Sequence, residues 1–138
     1  MTVSYYLRFD GNCREAFAYY AEHLGGTIDD IMTWGASPMA EQAGPAIADL
    51  VMHASMHLGA YELMGTDATP DSPYRGVQDA SLVITTDTAD EAERVFAVLA
   101  DQGKISMPME ETFWAERFGV VSDRFGVPWM VNCNKPGM

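Results

Sequence analysis

Slid over itself, the chain sets YYLRFDGNCREAFAYY, starting at Tyr5, over SLVITTDTADEAERVF, starting at Ser81. Glu15 and Ala16 fall on Glu91 and Ala92, Tyr20 on Phe96 and Leu7 on Val83. Each copy reads strand, turn, capped helix and Gly stop, and the rest of each copy holds about three further strand signals. Agreement of caps, stops and strand order is harder to reach by chance than a few identities. Two βαβββ modules follow, and the 138 residues are predicted to form one α+β domain. Module one covers about 1–66, a connector about 66–78 and module two about 79–138.

In chain order, Val3 to Phe9 predicts the first strand, ended by Asp10-Gly11. Asn12 with Glu15 has the form of a capping box, and Ala16, Phe17, Tyr20 and Leu24 recur at helical spacing before Gly25-Gly26. Thr27 to Trp34 predicts a second strand, whereas the Gly- and Pro-bearing stretch from Gly35 to Asp49 is expected to be a long loop, either a lid or simply mobile. Leu50 to Leu58 alternates, with Met52, Ala54, Met56 and Leu58 on one side and His53, Ser55 and His57 on the other. Tyr61 to Gly65 completes module one. Ala80 to Thr85 then opens module two, and Thr88 with Glu91 repeats the capping-box signal ahead of Ala92, Val95, Phe96 and Leu99.

Eight Lys and Arg against twenty Asp and Glu give a formal charge of -12, a field that repels phosphate backbones and argues against nucleic acid as a partner. No apolar run approaches the ~20 residues that span a bilayer, so no membrane role is expected. The start, MTVSYYLRFD, has no secretion signal, and the cytoplasm is the expected compartment. Cys13 and Cys133 are too few for a disulfide scaffold and too isolated for a Cys-rich zinc site, so both are expected as free thiols. No phosphate-binding loop, nucleotide fingerprint or zinc-protease motif is present.

Thr112 to Cys133, TFWAERFGVVSDRFGVPWMVNC, compresses two strand signals and an Asp- and Gly-bearing turn into one hairpin. Together with YLRFDGNCREAFAYY and VMHASMHLG, the stretch GKISMPMEETFWAERFGVVSDRFGVPWMVN resembles the vicinal oxygen chelate (glyoxalase/bleomycin resistance/dioxygenase) superfamily, and within it the PhnB-like branch. The match covers nearly the whole chain. It implies two βαβββ modules curled into an open, cupped, barrel-like sheet around a ligand cavity, with helices outside, and it implies a homodimer. Many members of that superfamily hold a divalent metal through His, Glu or Gln on four strands.

Position by position, this chain departs from that ligand set. Where a His is usual at the front of module one, Tyr5 falls, its repeat partner is Ser81, and Met130 falls where a Glu is usual on the last strand. Glu62 is the one plausible metal ligand, and one ligand does not hold a metal. His53 and His57 share a strand face but lie about 13 Å apart along it at ~3.3 Å per residue, too far to share an ion. His53 falls where PhnB-like proteins commonly show a His and is the candidate for a hydrogen-bonding or proton-transferring role. Glu110, Glu111 and Trp114 sit where the sixth strand meets the hairpin, and as a group they could grip a cationic or amphipathic ligand, Trp114 with a stacking face and the glutamates with a counter-charge, the alternative being a solvated turn with one buried indole.

The expected ligand-binding set is therefore Tyr5, His53, Glu62, Ser81, Trp114 and Met130, with no cofactor, in a small-molecule-binding protein. The alternative is a divalent-metal-dependent lyase, isomerase or dioxygenase of the same superfamily. A third possibility is metal-free catalysis by His53 as base, with Tyr5 or Glu62 nearby.

Overall fold

The computed structural model describes residues 1–138. Two compact units divide the chain, Met1–Gly76 and Val77–Met138, and the division falls within the 66–78 connector. In the first unit β1 (Tyr5–Phe9), α1 (Cys13–Leu24), β2 (Thr27–Thr33), α2 (Ala40–Ala43), β3 (Val51–Leu58) and β4 (Tyr61–Asp67) follow one another. In the second come β5 (Leu82–Thr85), α3 (Ala89–Ala100), β6 (Lys104–Glu110), β7 (Ala115–Ser122) and β8 (Pro128–Asn134). Each unit is an open four-stranded mixed sheet of the same topology, ordered β1-β4-β3-β2 and β5-β8-β7-β6. The first strand of each runs parallel to the last, and the other pairs are antiparallel. No helix is long and apolar enough to cross a membrane.

One face of each sheet is covered by its helix. In the first unit Cys13, Ala16, Phe17 and Tyr20 of α1 are fully buried along with Phe9, Ala54 and Met56, and Phe9 meets Phe17 edge to face with centroids 6.0 Å apart. In the second, Ala92, Val95, Phe96 and Leu99 of α3 are buried with Val121, Trp129, Val131 and Cys133. Both helices read as one apolar stripe at 3.6-residue spacing because only one side of each meets a sheet. Cys13 and Cys133 are free and buried.

Four sequence expectations are corrected. Asn12 makes no side-chain cap on α1. The carboxylate of Asp67, at the end of β4, instead accepts from the Cys13 N–H at 2.9 Å and the Val51 N–H at 2.8 Å, so the orphan donor at the helix start is already filled. The stretch 35–49 is not one irregular loop. It carries α2 and a 3-10 turn at Pro45–Ile47, and backbone bonds from Trp34 N–H to Leu50 C=O (3.0 Å) and Gly35 N–H to Ala48 C=O (2.9 Å) close its base. On β3, a register shift between Met32 and Thr33 of the neighbouring strand breaks the alternation, so Met52 does not share the burial of Ala54 and Met56.

The fourth correction concerns the repeat. On the helices the two copies are offset by 76 residues, Ala16 matching Ala92 and Tyr20 matching Phe96, all four buried. On the first strands the helix-side residues are Leu7 and Phe9 in one unit, but Leu82 and Ile84 in the other, which pair with the buried Trp129 and Val131. The strand offset is thus 75. Leu7 matches Leu82 rather than Val83, and the position opposite Ser81 in the repeat is Tyr6 rather than Tyr5.

Candidate functional site

The helices leave the other face of each sheet to carry the unused side chains, and alternation along the strands decides which these are. In the first unit Tyr6 on β1 and His53 on β3 approach with ring centroids 6.2 Å apart. Tyr5 points to the opposite face from that pair, alongside Leu7 and Phe9. Tyr6 is therefore the aromatic neighbour of His53 that a constant repeat offset hides; the buried alternation of Leu7 and Phe9 is the signal that could have found it. Register also sets Met32 opposite His53, and Met64 opposite both Tyr6 and Ser55.

Glu62 lies on the same face as His53 but two cross-strand rows away. It is the direct partner of His57, and its carboxylate accepts from the Ser4 hydroxyl at 3.0 Å. The His57 ring is paired with Asp29 on β2. His53, His57 and Glu62 are thus spread along the sheet, each with its own neighbour. No three His, Cys, Asp or Glu side chains come together as a metal-binding group, and this donor set does not fit the divalent ion that many superfamily members carry.

In the second unit, Ser81 and Met130 come together. With Val83 and Pro128 they line an open depression of about 480 Å³. Trp114 stands apart from them, in the link between β6 and β7. Its indole N–H donates to Asn132 Oδ1 at 3.2 Å, and the Asn132 amide donates in turn to Asn134 Oδ1 at 2.8 Å. Its ring meets Phe118 at 5.2 Å and Phe113 at 4.9 Å, both edge to face. Asn132 and Phe118 are direct partners across β7 and β8, and Met130 sits two residues along β8 from Asn132 on the same face. Sequence reasoning missed Asn132 and Phe118 because their meeting with Trp114 depends on the β7–β8 register.

Two groups that could have drawn chemical attention are occupied structurally. Burial pushes the Cys13 thiol up, from its ordinary 9.0 to about 12, with the nearby Asp67 carboxylate adding to the rise. Such a thiol is no nucleophile near neutral pH. Asp123 is buried in the β7–β8 turn, where its carboxylate accepts from Phe125 N–H (2.9 Å), Val127 N–H (3.0 Å) and the Trp129 indole (2.8 Å). It holds the hairpin together and is buried away from any ligand.

Two open sheets of βαβββ topology, each with one helix-covered face and one face carrying aromatic, Met and polar side chains, define the glyoxalase-type class of α+β fold. The chain belongs to the Glyoxalase/Bleomycin resistance protein/Dioxygenase superfamily, whose family model matches residues 2–131. It is 38% identical to Protein YjdN of Escherichia coli (strain K12) over 98% of this chain and 97% of that one. The crystal structure of protein PA1353 from Pseudomonas aeruginosa is 45% identical, covering 97% of this chain and 98% of that one, with a TM-score of 0.89. The PhnB protein from Bacillus cereus is 27% identical over 96% of this chain and 99% of that one, with a TM-score of 0.82, which places the chain in the PhnB-like branch.

Proposed function

We propose that this protein binds a small apolar or amphipathic molecule on the sheet faces that its helices leave uncovered, as a cytoplasmic homodimer and without the divalent-metal triad of many relatives. The observation that carries the reading is Trp114. Its polar atom is fixed by Asn132 and its ring by Phe113 and Phe118, yet it is only half-buried and Phe113 beside it is 81% exposed. A large aromatic held rigid but left partly open suits ligand contact, because little side-chain entropy is lost when it is covered. Val83 and Met107 on the same face are 58% and 50% exposed, which favours an apolar partner for that surface. His53, Tyr6 and Glu62 supply hydrogen-bonding groups on the first unit, and Ser81 and Met130 line the depression on the second; Tyr5, on the helix side of β1, is given no ligand role.

The test is Trp114→Ala. Retained small molecules, extracted from purified protein and counted per chain, are expected to fall at least about fivefold, in line with the cost of losing one aromatic contact. The urea midpoint should stay close to that of the parent. Unchanged retention in the folded variant would contradict the assignment.

A further inference from the structure

A carboxylate stands in the same cross-strand row as the aromatic group of the second unit. Glu110 on β6 is the direct cross-strand partner of Phe118 on β7, and directly paired residues project from one face with Cβ atoms about 5 Å apart. Glu110, Phe118 and Asn132 thus form one row across three strands, with the Trp114 ring against Phe118 and its indole N–H on Asn132. Met107, Val120 and Met130 form the next apolar row on that face. Because the indole N–H is already bonded, the aromatic rings offer a ligand their π faces and edges alone.

The charges of this unit are arranged around that group unevenly. Residues 77–138 hold ten Asp and Glu against five Lys and Arg. Four of the five cations are tied to other carboxylates: Arg94 to Glu91 (2.6 Å), Arg117 to Glu93 (2.6 Å), Arg124 to Asp101 (2.9 Å) and Lys135 to Glu111 (2.7 Å). The fifth, Lys104, opens β6 six residues before Glu110, roughly 20 Å away along an extended strand. Glu111, the sequence neighbour, is compensated, and the hydrogen bond from Lys135 holds its carboxyl below the usual carboxylate range. Glu110 belongs to none of these pairs.

We propose that Trp114, Phe113, Phe118 and Glu110 form a subsite for an organic cation, a quaternary ammonium, phosphonium or aromatic ammonium centre. This rests on the reading of the protein as a small-molecule binder and names the class of ligand. Such a cation sheds water cheaply, its charge is attracted to ring faces, and Glu110 supplies the counter-charge, being in no ion pair with the cations of this unit. Its apolar body lies on the Met107, Val120 and Met130 row. The formal charge of -12 adds a long-range attraction of the same sign.

The experiment is a ¹H–¹⁵N NMR titration of the full chain, whose three tryptophans give three indole N–H signals assignable from Trp→Phe variants. Methyltriphenylphosphonium is the cationic probe and triphenylphosphine oxide its neutral near-isostere. The cation is expected to move the Trp114 signal and to bind about tenfold tighter than the neutral probe. Glu110→Gln should weaken the cation by about fivefold and leave the neutral probe unchanged, whereas Glu41→Gln, the same charge change on α2, should have little effect on either. Equal affinity for the two probes, or equal effects of the two substitutions, would overturn the cation assignment while leaving Trp114 as a ligand contact. No movement of the Trp114 signal with either probe would overturn both.

Discussion

Asp67 and Asp123 are only 4% and 5% exposed, and each is spent on backbone or indole N–H donors rather than on a ligand. Their legibility differs for a physical reason. Asp123 bonds donors two, four and six residues on, and an Asx side chain in a Gly-bearing turn signals such local bonds. Asp67 reaches donors 54 and 16 residues away, which only the folded sheet brings close. The same carboxylate helps to suppress ionisation of Cys13, and this gives stability a pH dependence with a defined sign. With its pKa raised from 9.0 to about 12, the folded chain keeps the Cys13 proton at pH values where the unfolded chain has lost it. Stability from this group is therefore full below pH 9 and declines as pH rises from 9 toward 12. Between pH 7 and about pH 10.5 the urea midpoint of the parent should fall further than that of Cys13→Ala. Parallel decline in the two proteins would show that the thiol is not suppressed.

Among the elements, strand faces carry the site, and a displacement of one residue exchanges them. A constant offset of 76 made Tyr5 the partner of Ser81, although the first strands are offset by 75 and Tyr6 is the residue that reaches His53. The helix match held because 76 is the offset of α1 and α3 themselves. The first strands were matched one residue out, and period-two alternation has no tolerance for that. Bulges such as the shift between Met32 and Thr33 leave equally little trace in a single sequence. Close approach of helix and sheet is set at Gly119 on β7, where an added Cβ would lie 2.7 Å from Phe96 and 2.7 Å from the Met109 sulfur. The thioether can swing aside, but the buried Phe96 ring is held by the rest of α3. Gly119→Ala is expected to cost about 1–3 kcal/mol, read as a lowered urea midpoint with unchanged m-value. An unchanged midpoint would mean that α3 shifts at no cost.

For the whole molecule, fold class was legible because a repeated order of strand, helix and three strands excludes most other architectures, and the family because the stretch from Gly103 to Asn132 resembles its members. The candidate site was legible only in part. Ser81 and Met130 were each named from their positions in the resemblance, and Trp114 was singled out by its neighbours, but Phe118 and Asn132 meet Trp114 only through the register of the β7–β8 hairpin, and Tyr6 meets His53 through strands far apart in the chain. The metal question is a property of the whole chain too, since His53 lies two rows from the His57–Glu62 pair and no three His, Cys, Asp or Glu side chains gather as a metal-binding group. Native mass spectrometry of untagged protein, before and after added Mn²⁺ or Zn²⁺ and then a chelator, tests binding without that metal most directly. The expected spectrum is a dimer that carries an organic adduct and gains no stoichiometric metal. A dimer that takes up one tightly held metal ion per chain, and carries no adduct, would contradict the account.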